Sequence, residues 1–553
     1  MSTKAYKNIG DRQKVKNATQ STKLEGQIKN SDGAYVYKVD DWQKLDRFLI
    51  LGTEGGSYYA SERKLTKDNA KNVLKLIKAD GQRVVDRVVE ISLEGRAPKN
   101  DPALFVLAMA SAEGDVNTRR AAYAALPKVA RIGTHLFHFA EFREQFAGWG
   151  KGMRKAVEKW YNEKNNEGIA FQLGKYQSRD GWSHRDLLRL AHVNPGDDAA
   201  RSTIYKWAID SASVEKDALR GASPVLDAFE EIKKTDNEKR VLELVTEFKL
   251  PLEMIPTDKR SRKVYEVMLD NFGITALIRN LGKLSQLGIL DSQNFTEVNK
   301  VIDRLLDKEA INKGRVHPIA ILLALSTYKA GRGMKGSLTW NVNRKIVDAL
   351  DEAFYLAFKN IDPTGKRIMI ALDVSASMTW ESSRVAGTFL TAREASAAMS
   401  MAVARTERNY LVTTFSGGGF GYSRNNNDDV AGISELAVTG KDKLEDVLRK
   451  VNNLPANSTD CSLPMRWALK KKAEFDAFIV YTDNETNAYG QLQPSTALKR
   501  YRDQMGIDSK LIVNGMVAND FTIADPNDPG MLDVVGFDSS APEVMSRFIK
   551  GEV

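Results

Sequence analysis

Oxygen side chains at residues 373–377 could together hold a divalent cation. The apolar run 368–372 is typical of a buried parallel strand, and Asp373, Ser375 and Ser377 follow it. Open α/β sheets place their sites at the carboxyl ends of such strands. One carboxylate with two hydroxyls suits a hard cation that keeps some of its water, Mg²⁺ above all. A polar turn before a helix is the alternative interpretation of this spacing.

Two later segments offer further oxygen ligands. The apolar run 478–481 ends in Asp483, and the polar loop 457–461 contains Thr459. A hydroxyl from the loop and a carboxylate from the strand end would complete a metal site. The layout is similar to the metal-ion-dependent adhesion site of von Willebrand factor A domains. That resemblance implies a ligand set of Asp373, Ser375, Ser377, Thr459 and Asp483.

The elements that would position these side chains alternate between strand and helix from residue 362 onward. Strand-like runs occur at residues 367–372, 409–415, 477–482, 510–517 and 531–537, with helical stretches such as 386–406 and 442–451 between them. This alternation predicts a parallel sheet covered by helices on both faces. The glycine-rich loop 417–427 is not followed by Lys-Ser or Lys-Thr, which excludes a Walker-type nucleotide site.

The first part of the chain has a different pattern. Residues 1–32 are polar and rich in lysine and predict a loosely ordered basic arm, and residues 34–59 predict an irregular segment packed on the helices after it. Short amphipathic helices are predicted from about residue 68 to 358, with Gly81 ending the first of them. Such helices pack as HEAT-like pairs in a superhelix. A compact all-α domain is the alternative.

The charge is unevenly distributed along the chain. The net charge of +9 consists of +13 over residues 1–360 and −4 over residues 361–553. A basic helical part favours a polyanionic partner, RNA or DNA.

The chain contains no apolar run long enough to span a membrane and no secretory signal, and its single cysteine, Cys461, excludes an internal disulfide. We therefore expect a reducing compartment such as the cytoplasm.

Cations interleaved with aromatic residues are the candidates for RNA contacts. Tyr176 and Trp182 lie among four basic residues, and further basic candidates precede them; together these are Lys175, Arg179, His184, Arg185, Arg119, Arg120, Lys151 and Arg154. Cations contact phosphates, and aromatic faces stack on bases. For each residue taken alone, a solvated surface cation is the alternative.

Several long motifs resemble the Ro autoantigen family, including GKYQSRDGWSHRDLLRLAHVNP, VHPIAILLALSTYKAGRG, PTGKRIMIALDVSASM and FIVYTDNET. The resemblance implies a bacterial-type member with three parts. These are a flexible basic arm at 1–32, a HEAT-like helical-repeat TROVE module at 33–361, and a von Willebrand A-like domain at 362–553. The α/β domain is expected to close the helical repeats into a monomeric ring.

The same resemblance implies a function without catalysis. Family members bind small noncoding Y RNAs on the outer ring surface and single-stranded ends of misfolded RNAs in the central hole, and bacterial members work with exoribonucleases in RNA turnover. Two alternatives stay open. One is a Mg²⁺-dependent assembly module that binds a carboxylate of a protein partner and does not bind RNA. The other is a phosphotransferase with Asp373 as nucleophile, which Ser375 disfavours because haloacid-dehalogenase-type sites carry a second Asp there.

Overall fold

The computed structural model divides the chain into two compact units. One unit combines Met1–Leu65 with Phe358–Val553, and the other is Thr66–Ala357. The structure describes residues 17–30, 33–52, 65, 70–333, 337–358, 362–380, 383, 390–417, 430–488, 490–517 and 519–552.

The N-terminal segment belongs to the α/β unit. Strands β1 (Gln27–Lys29) and β2 (Tyr35–Lys38) form an antiparallel pair, and β2 also pairs with Phe521–Thr522 near the C-terminus. Helix α1 (Asp41–Leu51) follows, capped by Asp40. The backbone hydrogen bonds of β2 group residues 33–52 with the α/β unit, whereas the predicted boundary at residue 33 assigns them to the helical module. Residues 17–30 pair with the same unit through β1 and through a bridge between Thr19 and Leu492, and residues 1–16 of the predicted arm lie outside the described residues.

The second unit consists of helices joined by short turns, as the sequence predicts. The helices are α2 (Lys71–Glu94), α3 (Asp101–Glu113), α4 (Val116–Val129), α5 (Gly133–Glu144), α6 (Lys151–Asn162), α7 (Asn166–Lys175), α8 (His184–Ala191), α9 (Ala199–Ile209), α10 (Lys216–Ala222), α11 (Pro224–Lys234), α12 (Glu238–Glu247), α13 (Arg262–Met268), α14 (Ile274–Gln286), α15 (Phe295–Leu305), α16 (Lys308–Lys313), α17 (Pro318–Lys329) and α18 (Arg344–Leu356). Strands β3 (Ser178–Arg179) and β4 (Trp182–Ser183) form a hairpin between α7 and α8.

Local chemistry explains where these helices begin and bend. Asp115 accepts a hydrogen bond from the backbone of Thr118 and so caps α4. The span of α2 consists of two helical segments separated by a kink at Asp80, with φ −153° and ψ 71°, one residue before the predicted stop at Gly81. A side chain at Gly81 would collide with Thr118, so glycine allows α2 and α4 to approach closely.

Helix α2 contacts a much later turn of the same unit. The guanidinium Nε of Arg315 donates a hydrogen bond to the carbonyl oxygen of Leu93 at 2.9 Å, across 222 residues of sequence. The Arg315 side chain also packs against Gly95. The end of α2 therefore lies beside the turn between α16 and α17.

The α/β unit is built on a six-stranded sheet. Its strands are β5 (Ile368–Asp373), β6 (Tyr410–Phe415), β7 (Ile433–Glu435), β8 (Ala477–Thr482), β9 (Lys510–Gly515) and β11 (Met531–Val535), in the order β11-β9-β8-β5-β6-β7; β10 is the short strand Phe521–Thr522 beside β2. All pairs are parallel except β6 with β7, so the sheet is mixed rather than purely parallel. The five predicted strands are confirmed as β5, β6, β8, β9 and β11.

Helices pack on this sheet and make its central strands fully buried. The helices are α19 (Ala392–Thr406), α20 (Leu444–Asn452), α21 (Leu463–Lys471), α22 (Pro494–Met505) and α23 (Ala541–Lys550). Every residue of β5 and β8 is buried, which explains their continuous apolar sequence. Residues 418–427 of the glycine-rich loop lie outside the described residues. No helix in the described part of the chain is both long and apolar enough to cross a bilayer.

Candidate metal centre and nucleic-acid interface

The carboxyl ends of β5 and β8 bring the predicted metal ligands together. These strands are parallel neighbours in the sheet, so Asp373, at the end of β5, and Asp483, just after β8, lie at the same edge. Ser375 and Ser377 approach each other at 3.2 Å between their hydroxyl oxygens, and the nearby side chain of Ser377 acts to lower the pKa of Asp483. Four of the five predicted ligands therefore converge.

Thr459 lies in a loop that is hydrogen-bonded to this edge. The backbone amide of Ala376 donates to the carbonyl oxygen of Asn457 at 3.0 Å, and Thr459 is buried two residues further on. Among the described hydrogen bonds, none joins the Thr459 hydroxyl to the other four predicted ligands. The placement of the loop beside Ser375 and Ser377 agrees with the prediction, and direct ligation by Thr459 stays a prediction.

The electrostatics of the centre favour an added cation. Burial, and after it the charge of Asp373, raises the pKa of Asp483 to about 8 from its ordinary value of 3.8. Burial likewise raises the pKa of Asp373. The hydrogen bonds to Asp373 come from the Ser375 amide at 2.8 Å and the Thr482 hydroxyl at 2.6 Å. Two buried carboxylates next to each other are costly to ionise, and a divalent cation would offset that cost.

The set of donors fits a hard cation better than a soft one. Within the described residues, no group of three or more His, Cys, Asp or Glu side chains gathers as a metal site. The candidate centre instead combines the carboxylates of Asp373 and Asp483 with serine hydroxyls, an oxygen-only set of the kind that Mg²⁺ accepts together with water.

A basic surface is formed on the helical unit by cations of α4, α6, the β3–β4 hairpin and the two helix ends that flank this hairpin. Gly152, in the first turn of α6, lies against the ring of Tyr123 on α4. Trp149, just before α6, packs against Trp182 of β4 with ring centroids 5.7 Å apart. These contacts join the segments that carry seven of the predicted cations, which we call the basic surface: Arg119, Arg120, Lys151, Arg154, Lys175, Arg179 and Arg185.

Exposure separates these seven residues from the eighth candidate. Six of the seven are exposed and Lys175 is half-buried, with its ammonium 5.2 Å from the ring centroid of Tyr176. His184 is buried, and its Nδ1 lies 2.6 Å from the Tyr161 hydroxyl. Burial lowers the pKa of His184 to about 3, so it is neutral. The prediction of a direct RNA contact by His184 is therefore wrong, because aromatic neighbours enclose its ring.

The hairpin that carries Arg179 has a rigid turn. Asp180 and Gly181 both have positive φ, the conformation of a two-residue turn that Asp-Gly favours. Asp180 also lies 2.5 Å from Nδ1 of the buried His138, which anchors the turn to α5. Trp182 donates to Glu141 at 3.1 Å, so its indole edge is held in place. The hairpin thus presents Arg179 from a fixed support.

Comparisons with known proteins agree with this architecture. The TROVE domain model matches residues 28–252 and 251–327, and the Ro60 vWA domain model matches residues 367–549. The RNA-binding protein RO60 of Deinococcus radiodurans is 41% identical over 542 residues, covering 97% of this chain and 98% of that protein. The Caenorhabditis elegans protein of the same name is 36% identical, over 96% of this chain and 91% of its own length.

The chain belongs to the Ro60 family.

A solved structure of the Ro60 family supports the fold as well. The crystal structure of the Deinococcus radiodurans RO (RSR) protein matches with a TM-score of 0.69 at 40% identity, over 93% of this chain and all of that one. The resemblance predicted from the sequence motifs and the predicted fold class are therefore confirmed. The TROVE match begins at residue 28, although in space residues 28–52 belong with the vWA unit.

Sequence analysis did not identify several residues around the two candidate sites. Thr482 bonds to Asp373, and the buried Arg393 donates to backbone carbonyl oxygens of Val374 and Ser375. The position of Thr482 directly before Asp483 could have revealed it. Tyr123 carries no local signal, because its neighbour Gly152 comes from another helix.

Proposed function

We propose that this chain is an RNA-binding protein that uses the basic surface of its helical unit and catalyses no reaction. The proposal rests on the exposed cations of α4, α6 and the hairpin, which lie on segments in contact with one another. The Ro60 relatives of this chain are named RNA-binding proteins. Such cations neutralise phosphates, the main source of affinity for nucleic acid.

Small structured noncoding RNA of the Y type is the proposed principal ligand. Double-stranded RNA is bound mostly through its backbone and shape, which suits Arg119, Arg120 and Arg154 on helix surfaces. Unpaired 3′ ends of misfolded RNAs are the proposed second ligand, since Tyr176 and Trp182 are half-exposed aromatic residues beside cations. Both ligands suit a role in RNA quality control beside an exoribonuclease. The buried free Cys461 fits the cytoplasm.

The α/β unit is proposed to bind Mg²⁺ through Asp373, Ser375, Ser377, Asp483 and Thr459. The convergence of the first four side chains and the raised pKa values of the two carboxylates support it. The bound ion would supply an open coordination position for a carboxylate of a protein partner. The five side chains named above would hold the ion and so determine the direction in which this coordination position faces.

Filter binding with a structured small RNA tests the RNA proposal. Lys175→Glu/Arg179→Glu changes the charge of the basic surface by four units, so affinity should fall about 10- to 100-fold at 0.1 M salt. The wild-type affinity should also decrease steeply as salt increases from 50 to 200 mM. A flat salt response would contradict the electrostatic part of the proposal.

A matched variant controls for the change in net charge. Lys239 on α12 and Lys313 on α16 are exposed lysines of the same unit, outside the basic surface. Lys239→Glu/Lys313→Glu changes the charge by the same amount and should weaken binding less than threefold, an approximate figure for distant screened charges. Equal losses in the two double variants would mean that net charge, and not the basic surface, determines binding.

A further inference from the structure

The segment before β1 runs along the loop that follows the candidate metal centre. Thr19 forms an antiparallel bridge with Leu492. The Gln20 amide donates to the carbonyl oxygen of Gln491 at 2.8 Å, and the carbonyl oxygen of Ala18 accepts from Gln493 at 3.0 Å. This backbone pairing fixes the direction in which the Gln20 side chain enters the α/β unit.

The Gln20 carboxamide is buried and uses all of its hydrogen-bonding capacity. Its exposed fraction is 2%. Its Nε2 donates to the Asp460 carboxylate at 2.8 Å and to the carbonyl oxygen of Leu492 at 3.2 Å. Its Oε1 accepts from the Thr486 hydroxyl at 3.1 Å and from the Ala488 amide at 2.7 Å. A primary amide has two donors and two acceptor sites, and all four are occupied.

These four bonds end on the two loops that carry predicted ligands. Asp460 directly follows Thr459, and Thr486 lies three residues after Asp483. The Asn487 amide also donates to the carbonyl oxygen of Thr459 at 2.9 Å, so the loops already touch where Gln20 joins them. One side chain from the N-terminal segment therefore connects the middle loop and the β8 loop of the centre.

We propose that Gln20 is a positioning residue for the metal centre: its carboxamide sets the separation between the loop of Thr459 and the loop of Asp483. This inference rests on the metal centre proposed above. Oxygen ligands bind a small hard cation well only when they converge within a few tenths of an ångström, and supporting hydrogen bonds maintain that convergence. Without Gln20, the Asp460 carboxylate and the Thr486 hydroxyl would each lose a buried partner.

Gln27 provides a matched control in the same segment. It is also buried, at 4% exposure, and its amide donates to the Gln493 side chain at 2.8 Å. Gln493 directly precedes helix α22, so it lies at the opposite end of the β8 loop from Asp483. Gln27→Ala therefore removes a comparable buried amide without removing a contact to residues 457–461 or 483–488.

Titration calorimetry with Mg²⁺ and with Mn²⁺ on the full chain tests the proposal. Gln20→Ala should weaken the affinity about tenfold or more, and Gln27→Ala should change it less than about twofold, while both lower the melting temperature by similar amounts. In EDTA, backbone hydrogen exchange at residues 457–461 and 483–488 should be faster in Gln20→Ala than in Gln27→Ala.

Three results would overturn the proposal, and they differ in what they imply. Unchanged ion affinity in Gln20→Ala, with wild-type binding intact, would remove the positioning role alone. Equal weakening in both variants would assign the effect to general loosening of the segment. Wild-type protein that binds ions no better than Asp373→Ala would refute the metal centre itself, and the positioning role with it.

Discussion

The two units of the molecule build their candidate sites in opposite ways. The helical unit exposes cations on several helices, whereas the α/β unit buries carboxylates and hydroxyls at one edge of its sheet. Exposed charges act through water and salt, so each contributes little and the sum determines affinity. Buried ligands act at contact distance, so each one is required. Single substitutions should therefore have large effects in the α/β unit and small effects in the helical unit.

The largest effect is expected for Asp373. Replacing it with alanine removes a buried carboxylate from the centre, so divalent-ion binding measured by calorimetry should disappear. Asp373→Asn keeps the size of the side chain and should also abolish binding. Asp508→Ala, at an exposed position of the same unit, should bind like wild type. An unchanged affinity in both Asp373 variants would refute the ligand assignment.

Substitutions on the basic surface should show the contrasting, additive pattern. Lys151→Ala alone should weaken RNA binding only about two- to threefold, because one screened contact among several is lost. Replacing Arg119, Arg120, Lys151 and Arg154 together with alanine should cost about 100-fold, with a shallower dependence on salt. Filter binding at several salt concentrations measures both. A loss of about 100-fold from Lys151→Ala alone would contradict the contrast between the two units.

The pH dependence of stability should report on the carboxylate pair. The pKa of Asp483 is about 8 in the folded chain against 3.8 ordinarily, so the folded state binds more protons between these values. The free energy of unfolding should therefore decrease as the pH rises from about 4 to 8. Scanning calorimetry in EDTA should show a melting temperature several degrees lower at pH 8.5 than at pH 6 for the α/β unit, an approximate figure.

Two comparisons sharpen this measurement. Asp483→Asn should reduce the decrease in melting temperature, because the neutral amide has no proton to lose. Added Mg²⁺ should raise the melting temperature more at pH 8.5 than at pH 6, because ions bind the deprotonated carboxylates. An identical pH dependence in wild type and Asp483→Asn would contradict the assigned pKa.

The smallest effect on RNA binding is expected beneath the basic surface. Tyr161→Phe removes the hydrogen bond to His184 and should destabilise the helical unit by about 1 kcal/mol. RNA affinity should change less than about twofold, because both side chains are buried and neither reaches a ligand. Thermal unfolding and filter binding on the same preparation measure the two quantities. A large loss of RNA affinity at unchanged stability would make His184 a contact residue after all.

Short contiguous motifs explain why most of the candidate metal centre could be predicted from the sequence. Asp373, Ser375 and Ser377 follow one strand and Asp483 follows another, and parallel neighbours necessarily end at the same edge of a sheet. The strand positions were predictable for a related reason, since residues buried on both faces form unbroken apolar runs.

The features that could not be predicted depend on residues distant in sequence. Gln20 is 440 residues from Asp460, and the sequence around each residue gives no indication that the two side chains form a hydrogen bond. The pairing of β2 with β10 likewise assigns the N-terminal segment to the α/β unit, against the expected boundary. His184 lies in a basic window, but its enclosure by Tyr161 and Phe137 comes from other helices. Burial of this kind is a property of tertiary packing.

Ultraviolet cross-linking of a structured small RNA to the intact chain, followed by peptide mapping, tests the division between the two units most directly. We predict that the cross-linked peptides come mainly from residues 117–185, where Tyr123, Trp149, Tyr176 and Trp182 lie beside the cations of the basic surface. Cross-links concentrated in residues 362–552, with few in the helical unit, would contradict the account.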